Sequence, residues 1–252
     1  MKILISPAKS LDLDPIINCD KYTVPAFLDK SSELIKGLRK LSTQEISDLM
    51  SISENLSLLN YNRYKEFSTP FNISNSKPAI FIFNGDVYDP IDLKSYNKKD
   101  FSFLQNSLRI LSGLYGILKP LDLIAPYRLE MSTKFRNKSG SNLYQFWGES
   151  LSDFINEDID DNEVIINLAS NEYFKAVKLD KLKNKVIKID FKENKSGQLK
   201  TIGIMAKRAR GEMVNYIIKN KVTSAKDLQK FNEQNYRFNA ELSGPELYTF
   251  TR

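Results

Sequence analysis

The chain has 252 residues, 41% of them apolar and 27% charged. That is enough to build a core, in one large domain or two modest ones, with the polarity of an ordinary globular protein. It has no histidine and one cysteine, Cys19, which removes the commonest general base, every His-containing metal site, an intrachain disulfide and a thiolate cluster. The net charge of +6 is unevenly spread: residues 181–252 hold 16 Lys and Arg against 7 Asp and Glu, whereas residues 1–180 hold 21 against 24. A basic third on a near-neutral body attracts a polyanion, although a solvated basic face has the same composition. No run of eighteen apolar residues and no signal-peptide core is present, so the expected location is the cytoplasm with no membrane partner. No cofactor is expected, and for metals only a carboxylate-rich site for a hard cation stays open.

In chain order, KILI (2–5) reads as a strand that runs into Ser6-Pro7-Ala8-Lys9. Residues 31–41 carry Leu34, Ile35, Leu38 and Leu41 at helical spacing, and Ser42 with Glu45 forms a capping box for a second helix. Residues 42–67 read as helix, tight Ser51-Ile52-Ser53 turn, helix, with Leu49, Ile52, Leu56 and Leu59 expected to pin the pair. A helix-hairpin-helix that grips phosphate with hairpin amides has this layout, as has a plain αα-hairpin. AIFIF (79–83), LRIL (108–111), VIINL (164–168) and VIKIDF (186–191) read as further strands. Ser224 and Asp227 start another helix near the C-terminus. Strands alternate with helices and no repeat or linker divides the chain. The expected fold is therefore α/β, with mixed α+β as the alternative, a mixed sheet being flanked by helices in a single compact domain, 1–252. The long helical stretch after the first strand argues against a simple doubly wound sheet.

Four strands lead into small or turn-forming residues, at 6–9, 84–86, 112–116 and 169–173. Loops at strand C-termini line crevices when the strands share a sheet and a direction. In the segment 111–135, Arg128 and Glu130 fall on one side of an extended chain, as an orienting pair or a structural ion pair. Without histidine, proton transfer would fall to Glu130, Glu172, Asp86 or a tyrosine such as Tyr115 or Tyr127, with Lys9 as a candidate amine nucleophile. Tyr144, Phe146 and Trp147 read as core rather than as a base-stacking platform. In the stretch 191–221, Met205, Ala209, Met213, Tyr216 and Ile217 share one side of a helix. Lys207, Gly211 and Asn215 share another, flanked by Arg208 and Arg210, with Gly211 leaving a gap in which phosphate or a base would fit. Lys192, Lys195 and Lys200 precede it. Buried arginines need an internal carboxylate or an external phosphate.

The ordered blocks ILISPAKSLD, FNGDVYDPID, LSGLYGILKPLDLIAPYRLEM, LYQFWGESL, NLASNEYFKAV and FKENKSGQLKTIGIMAKRARGEMVNYIIKN resemble the YaaA peroxide-stress protein family over essentially the whole length. The resemblance implies a cytosolic protein that limits hydrogen peroxide damage and is associated with low free iron. It also implies an unusual α/β fold with a basic cleft, a helix-hairpin-helix-like element and binding to double-stranded or branched DNA. Onto this chain it carries Lys9, Arg128, Lys134, Lys192, Lys200, Lys207, Arg208 and Arg210, to which the residue reading adds Lys195. The alternative is an enzyme acting on a nucleobase, nucleoside or damaged nucleic acid in the same cleft. Direct iron sequestration is disfavoured by the lack of His and of paired Cys.

Overall fold

Lys-Ile-Leu-Ile at residues 2–5 forms β1 (Lys2–Ile5), whose Ile3, Leu4 and Ile5 are wholly buried. A continuous apolar run of this kind suits a parallel strand covered on both faces. The computed structural model describes residues 1–252. After β1 the chain forms β2 (Ser10–Leu11), α1 (Leu28–Leu38), α2 (Thr43–Met50), α3 (Glu54–Glu66), β3 (Lys77–Pro78), α4 (Ala79–Ile82) and β4 (Phe83–Asn84). Then come α5 (Lys98–Ser107), β5 (Leu108–Ser112), β6 (Gly116–Leu118), β7 (Leu123–Ile124), α6 (Leu143–Trp147), α7 (Ser150–Asp158) and β8 (Ile165–Asn167). The last part holds α8 (Asn171–Phe174), β9 (Val186–Lys195), β10 (Gln198–Lys200), α9 (Gly203–Lys219), β11 (Arg237–Phe238) and β12 (Leu247–Thr251).

The main sheet has eight strands in the order β11-β12-β9-β8-β1-β5-β6, with β10 paired to β9. The five strands from β12 to β5 are parallel, and β11, β6 and β10 are antiparallel to their neighbours. The expected mixed α/β sheet is therefore present, with helices around it in one fold. β1 registers Ile3 against Leu108 on one edge and against Ile166 on the other. The order of connection reverses at β1, which makes its C-terminal end a topological switch point. No helix is long and apolar enough to cross a membrane.

Several sequence expectations need correction. AIFIF is not a strand: Ala79–Ile82 make one helical turn and only Phe83–Asn84 extend. The run is buried on all sides, so its apolar pattern carries no period that separates helix from strand. The Ala79 and Ile80 N–H groups donate to the carbonyls of Asp122 and Pro120, at 2.8 and 2.9 Å, instead of to a sheet ladder. The capping box of Ser42 and Glu45 forms as expected, and α2 and α3 make an αα-hairpin around Ser51, a left-handed C-cap at φ 51°. Leu56 and Leu59, however, do not pin it. They are exposed, and α3 turns Ser57, Asn60 and Tyr64 inward, because the Tyr64 hydroxyl bonds to the Arg128 carbonyl and fixes the roll of the helix. The first helix ends at Leu38, short of Leu41. Arg39 turns out of it to donate to the carbonyls of Tyr64, Lys65 and Phe67 at the end of α3, where a cation suits the helix dipole.

At the opposite end of the sheet from the switch point, one carboxylate holds three cations. Asp158 lies 2.6 Å from Arg109, 3.3 Å from Lys2 and 3.4 Å from Lys119. Arg109 is only 2% exposed and also donates to the carbonyls of Gln105 and Leu108. Burial pushes its guanidinium down from its ordinary value, and Asp158 opposes that shift. Asp158→Asn should therefore leave a buried cation uncompensated and lower stability by about 3–5 kcal/mol. Denaturant unfolding checks this, and an unchanged midpoint would count against the cluster as a clasp.

Candidate functional site

Because β1 and β8 are adjacent and parallel, the loops leaving them meet. The Ser170 N–H donates to Ser6 Oγ at 2.9 Å, and the Ser6 hydroxyl lies 3.3 Å from Ser170 Oγ. Tyr88 donates to the Ser6 carbonyl at 2.9 Å. The short β2–β4 pair sets Ser10 against Asn84 and draws the Asn84-Gly85-Asp86 turn alongside Pro7–Lys9. Gly85 sits at φ 141°, a conformation other residues rarely adopt. The loops at 6–9, 84–86 and 169–173 thus converge, the 84–86 turn through the separate β2–β4 pair and not as the end of a main-sheet strand, whereas the fourth, 112–116, turns β5 back into β6.

The extended segment 127–131 crosses this crevice. It is held close by Gly113, where a Cβ would overlap the Leu129 carbonyl. Arg128 and Glu130 do share a side: the guanidinium lies 3.1 Å from the carboxylate, which also takes Lys9 at 2.8 Å. Glu130 is thus shared by two cations, and the Arg128 Nε is buried without an acceptor. Glu172 accepts from the Ser132 N–H and hydroxyl at 3.1 and 2.8 Å. Below lie buried phenols. Tyr127 meets Ser112 Oγ at 2.6 Å, and the Tyr115 hydroxyl both donates to and accepts from the backbone of Ala125. Burial pushes the phenols of Tyr88, Tyr115, Tyr127 and Tyr173 well above their ordinary range. Tyr115 and Tyr127 are therefore enclosed framework, which corrects the expectation that they transfer protons to a ligand. Lys9 is a charge partner of Glu130 rather than a free amine. Phe146 and Trp147 are core, as read, whereas Tyr144 is half-buried and donates its hydroxyl to the Glu172 carbonyl at 3.0 Å.

α9 supplies the other wall. Met213 and Ile217 face inward as expected, and so do Val214 and Ile218. Gly211 is not an open seat for phosphate: a Cβ there would overlap the Val87 carbonyl, so the glycine exists to let the 84–90 turn lie against the helix. Asn215 likewise faces inward, accepting from the Tyr96 hydroxyl at 2.9 Å and the Asp92 N–H at 3.3 Å. Only Lys207 of that set stays exposed, and no carboxylate pairs with it. Arg208 is 56% exposed with its Nε 3.7 Å from Asp86, and Lys192 reaches Asp190 at 4.0 Å. Arg210 is half-buried, makes no ion pair, and has its Nε out of solvent with no acceptor. Burial lowers its guanidinium and the field of Asp190 partly restores it. Lys134, Lys195 and Lys200 are exposed and unpaired. The cations singled out in the sequence therefore divide: Lys9 and Arg128 answer Glu130, Arg208 and Lys192 have loose partners, and the rest have none. Sequence reasoning did not pick out Ser6, Ser132, Ser170 or Asp190, nor Asp86 as the partner of Arg208. The strand-end loop pattern was the signal for Ser6 and Ser170.

These features define an α/β protein whose strand-end loops bring polar side chains together beside a helix, α9, that carries exposed cations. The chain matches the family described as peroxide stress protein YaaA over residues 1–242. It is 50% identical to a UPF0246 protein of Acaryochloris marina, each chain being covered in full. Identity is 49% to one of Saccharophagus degradans, over 100% of this chain and 99% of the relative. It is 48% to one of Flavobacterium psychrophilum, again over both whole chains. The chain belongs to the YaaA peroxide stress protein family, and that membership supports a role in peroxide stress.

The packing at Gly211 makes a clear forecast. Alanine is the better helix former by about 1 kcal/mol, yet Gly211→Ala should destabilise by about 1–3 kcal/mol through overpacking. Gly203→Ala, on the same helix with nothing within 4 Å of an added Cβ, should be neutral or stabilising. Melting both variants against the parent tests the contrast.

Proposed function

We propose that the protein acts in peroxide stress by binding DNA through the basic flank formed by α9 and the β9–β10 hairpin. The contacts are to phosphate and largely independent of sequence. Arg210 carries this reading. A half-buried guanidinium with an orphaned Nε is costly unless an anion answers it, and its planar fork matches a phosphate. Lys195, Lys200 and Lys207 lie exposed in the same stretch of chain and make no ion pair, although Glu193 stands across the ladder from Lys200, and several such charges suit a polyanion better than a single small anion. Arg208 is free to exchange its long contact with Asp86 for a phosphate, because exposed pairs contribute only about 0–1 kcal/mol.

Lys9 and Arg128 are secondary in this reading, since Glu130 already neutralises part of their charge. The αα-hairpin of α2 and α3 is left out of the interface, because the Ile52 amide is engaged by the Ser47 carbonyl at 3.2 Å. Limitation of free iron, which the family resemblance implies, is assigned to no side chain. Binding ranks above the enzymatic alternative: the phenols proposed for proton transfer are enclosed, and Lys9 is paired.

Fluorescence anisotropy with a duplex across a salt series tests the reading. When Lys195, Lys200 and Lys207 are replaced together by alanine, the log–log slope of affinity against salt should flatten by about 0.9 for each phosphate left without its cation. An unchanged slope in the folded variant would refute it. Glu130→Gln should steepen the slope and tighten binding by releasing Lys9 and Arg128.

A further inference from the structure

The ten-residue β9 outruns the sheet. β8 accompanies it to Lys188 and β12 to Lys192. Beyond that it pairs with β10 alone, through Glu193 with Lys200, Asn194 with Leu199 and Lys195 with Gln198. Ser196 at φ 54° and Gly197 at φ 81° close the hairpin, the pair of positive φ values that a type I′ turn requires. Residues 194–201 are exposed on both faces. A lone two-stranded ribbon is marginal in water, so this one depends on its foot. There Glu193 accepts from the Tyr236 hydroxyl at 2.7 Å and from Arg252 at 3.0 and 2.8 Å. The Asn194 N–H also donates to the Arg252 carbonyl at 2.7 Å. Past the foot the ribbon packs against nothing in the core.

Strand alternation sets Asn194 and Leu199 side by side on one face and Lys195, Gln198 and Lys200 on the other, with Glu193 at its foot. Leu199 is 39% exposed in a ribbon whose only charges past Glu193 are Lys195 and Lys200. Asn194 Oδ1 accepts from the Gly197 N–H at 2.9 Å, which orients the amide and leaves its NH₂ group as the donor without a partner in the protein. A donor beside an apolar side chain complements the major-groove edge of thymine, which presents the O4 acceptor and the C5 methyl. Adenine, which asparagine reads with both amide atoms, is a poorer match because one of the oxygen's two lone pairs and the amide's orientation are already committed to Gly197. A two-stranded ribbon also fits the width of the major groove.

We infer that the 193–201 hairpin enters the DNA major groove, setting Asn194 and Leu199 against a thymine while Lys195 and Lys200 reach the phosphates of the groove walls. This rests on the DNA-binding reading above and adds to it a preference at one base pair. The test compares anisotropy titrations of an A·T-rich duplex with the same duplex carrying uracil for thymine, which removes the methyl groups and leaves the charge unchanged. The parent protein should bind the uracil duplex about fourfold more weakly, the worth of one buried methyl. Leu199→Ala should bind the two alike with the parent's salt slope. Equal parent affinity for both duplexes, with the salt slope intact, overturns the groove assignment and spares the phosphate reading. Displacement of the protein by the minor-groove ligand netropsin overturns it as well. Absence of binding to either duplex sinks both readings.

Discussion

β1 has both hydrogen-bonding edges filled, by β5 and β8, and its Ile3–Ile5 side chains out of solvent. A slip of one residue would turn its side chains to the wrong faces and break two ladders at once, so its C-terminal end is fixed in space. From that end the polar part of the molecule follows. Ser6 meets Ser170, Lys9 meets Glu130, and the 84–86 turn is drawn in against Ala8 and Ser10. The crevice is thus a product of apolar packing in the strand before it, the usual relation of a rigid scaffold to the loops that carry function.

Two kinds of charge cluster share the sheet and serve different ends. Asp158 and Arg109 are largely out of solvent, with Lys2 mostly covered and Lys119 at the rim, and the carboxylate is the one acidic group these three cations share. At the other end the Glu130 pairs are short, but those of Arg208 with Asp86 and of Lys192 with Asp190 are long. Short buried pairs resist exchange, whereas long exposed ones yield to a competing oxyanion at little cost. The contrast between the two kinds of pair, more than the net charge of the chain, is what favours α9 and the hairpin as the side proposed to bind.

Much of this was legible in the residues. KILI, LRIL, VIINL and VIKIDF are strands, Ser42 and Glu45 cap a helix, and Arg128 and Glu130 pair. Each of these depends on neighbours in sequence or on a period of two. What was not legible depends on partners distant in the chain. AIFIF is helical because the 120–122 loop takes its amides. Leu56 and Leu59 face out because a tyrosine hydroxyl at position 64 finds a carbonyl at 128. Gly211 looked like room for a ligand and is filled by the carbonyl of Val87. A glycine among cations has the same local signature in either case; only the fold decides which surface approaches it.

Trp147 is the sole tryptophan, is fully buried, and donates its indole N–H to the Gly113 carbonyl at 3.1 Å. Its ring packs over Gly116 and beside Phe27 and Phe146, on residues outside the α9 flank. The protein therefore contains an intrinsic fluorophore that reports the integrity of its interior and is insulated from events at the basic surface. A change in emission signals loss of folding, and occupancy of the surface must be followed from the ligand's side.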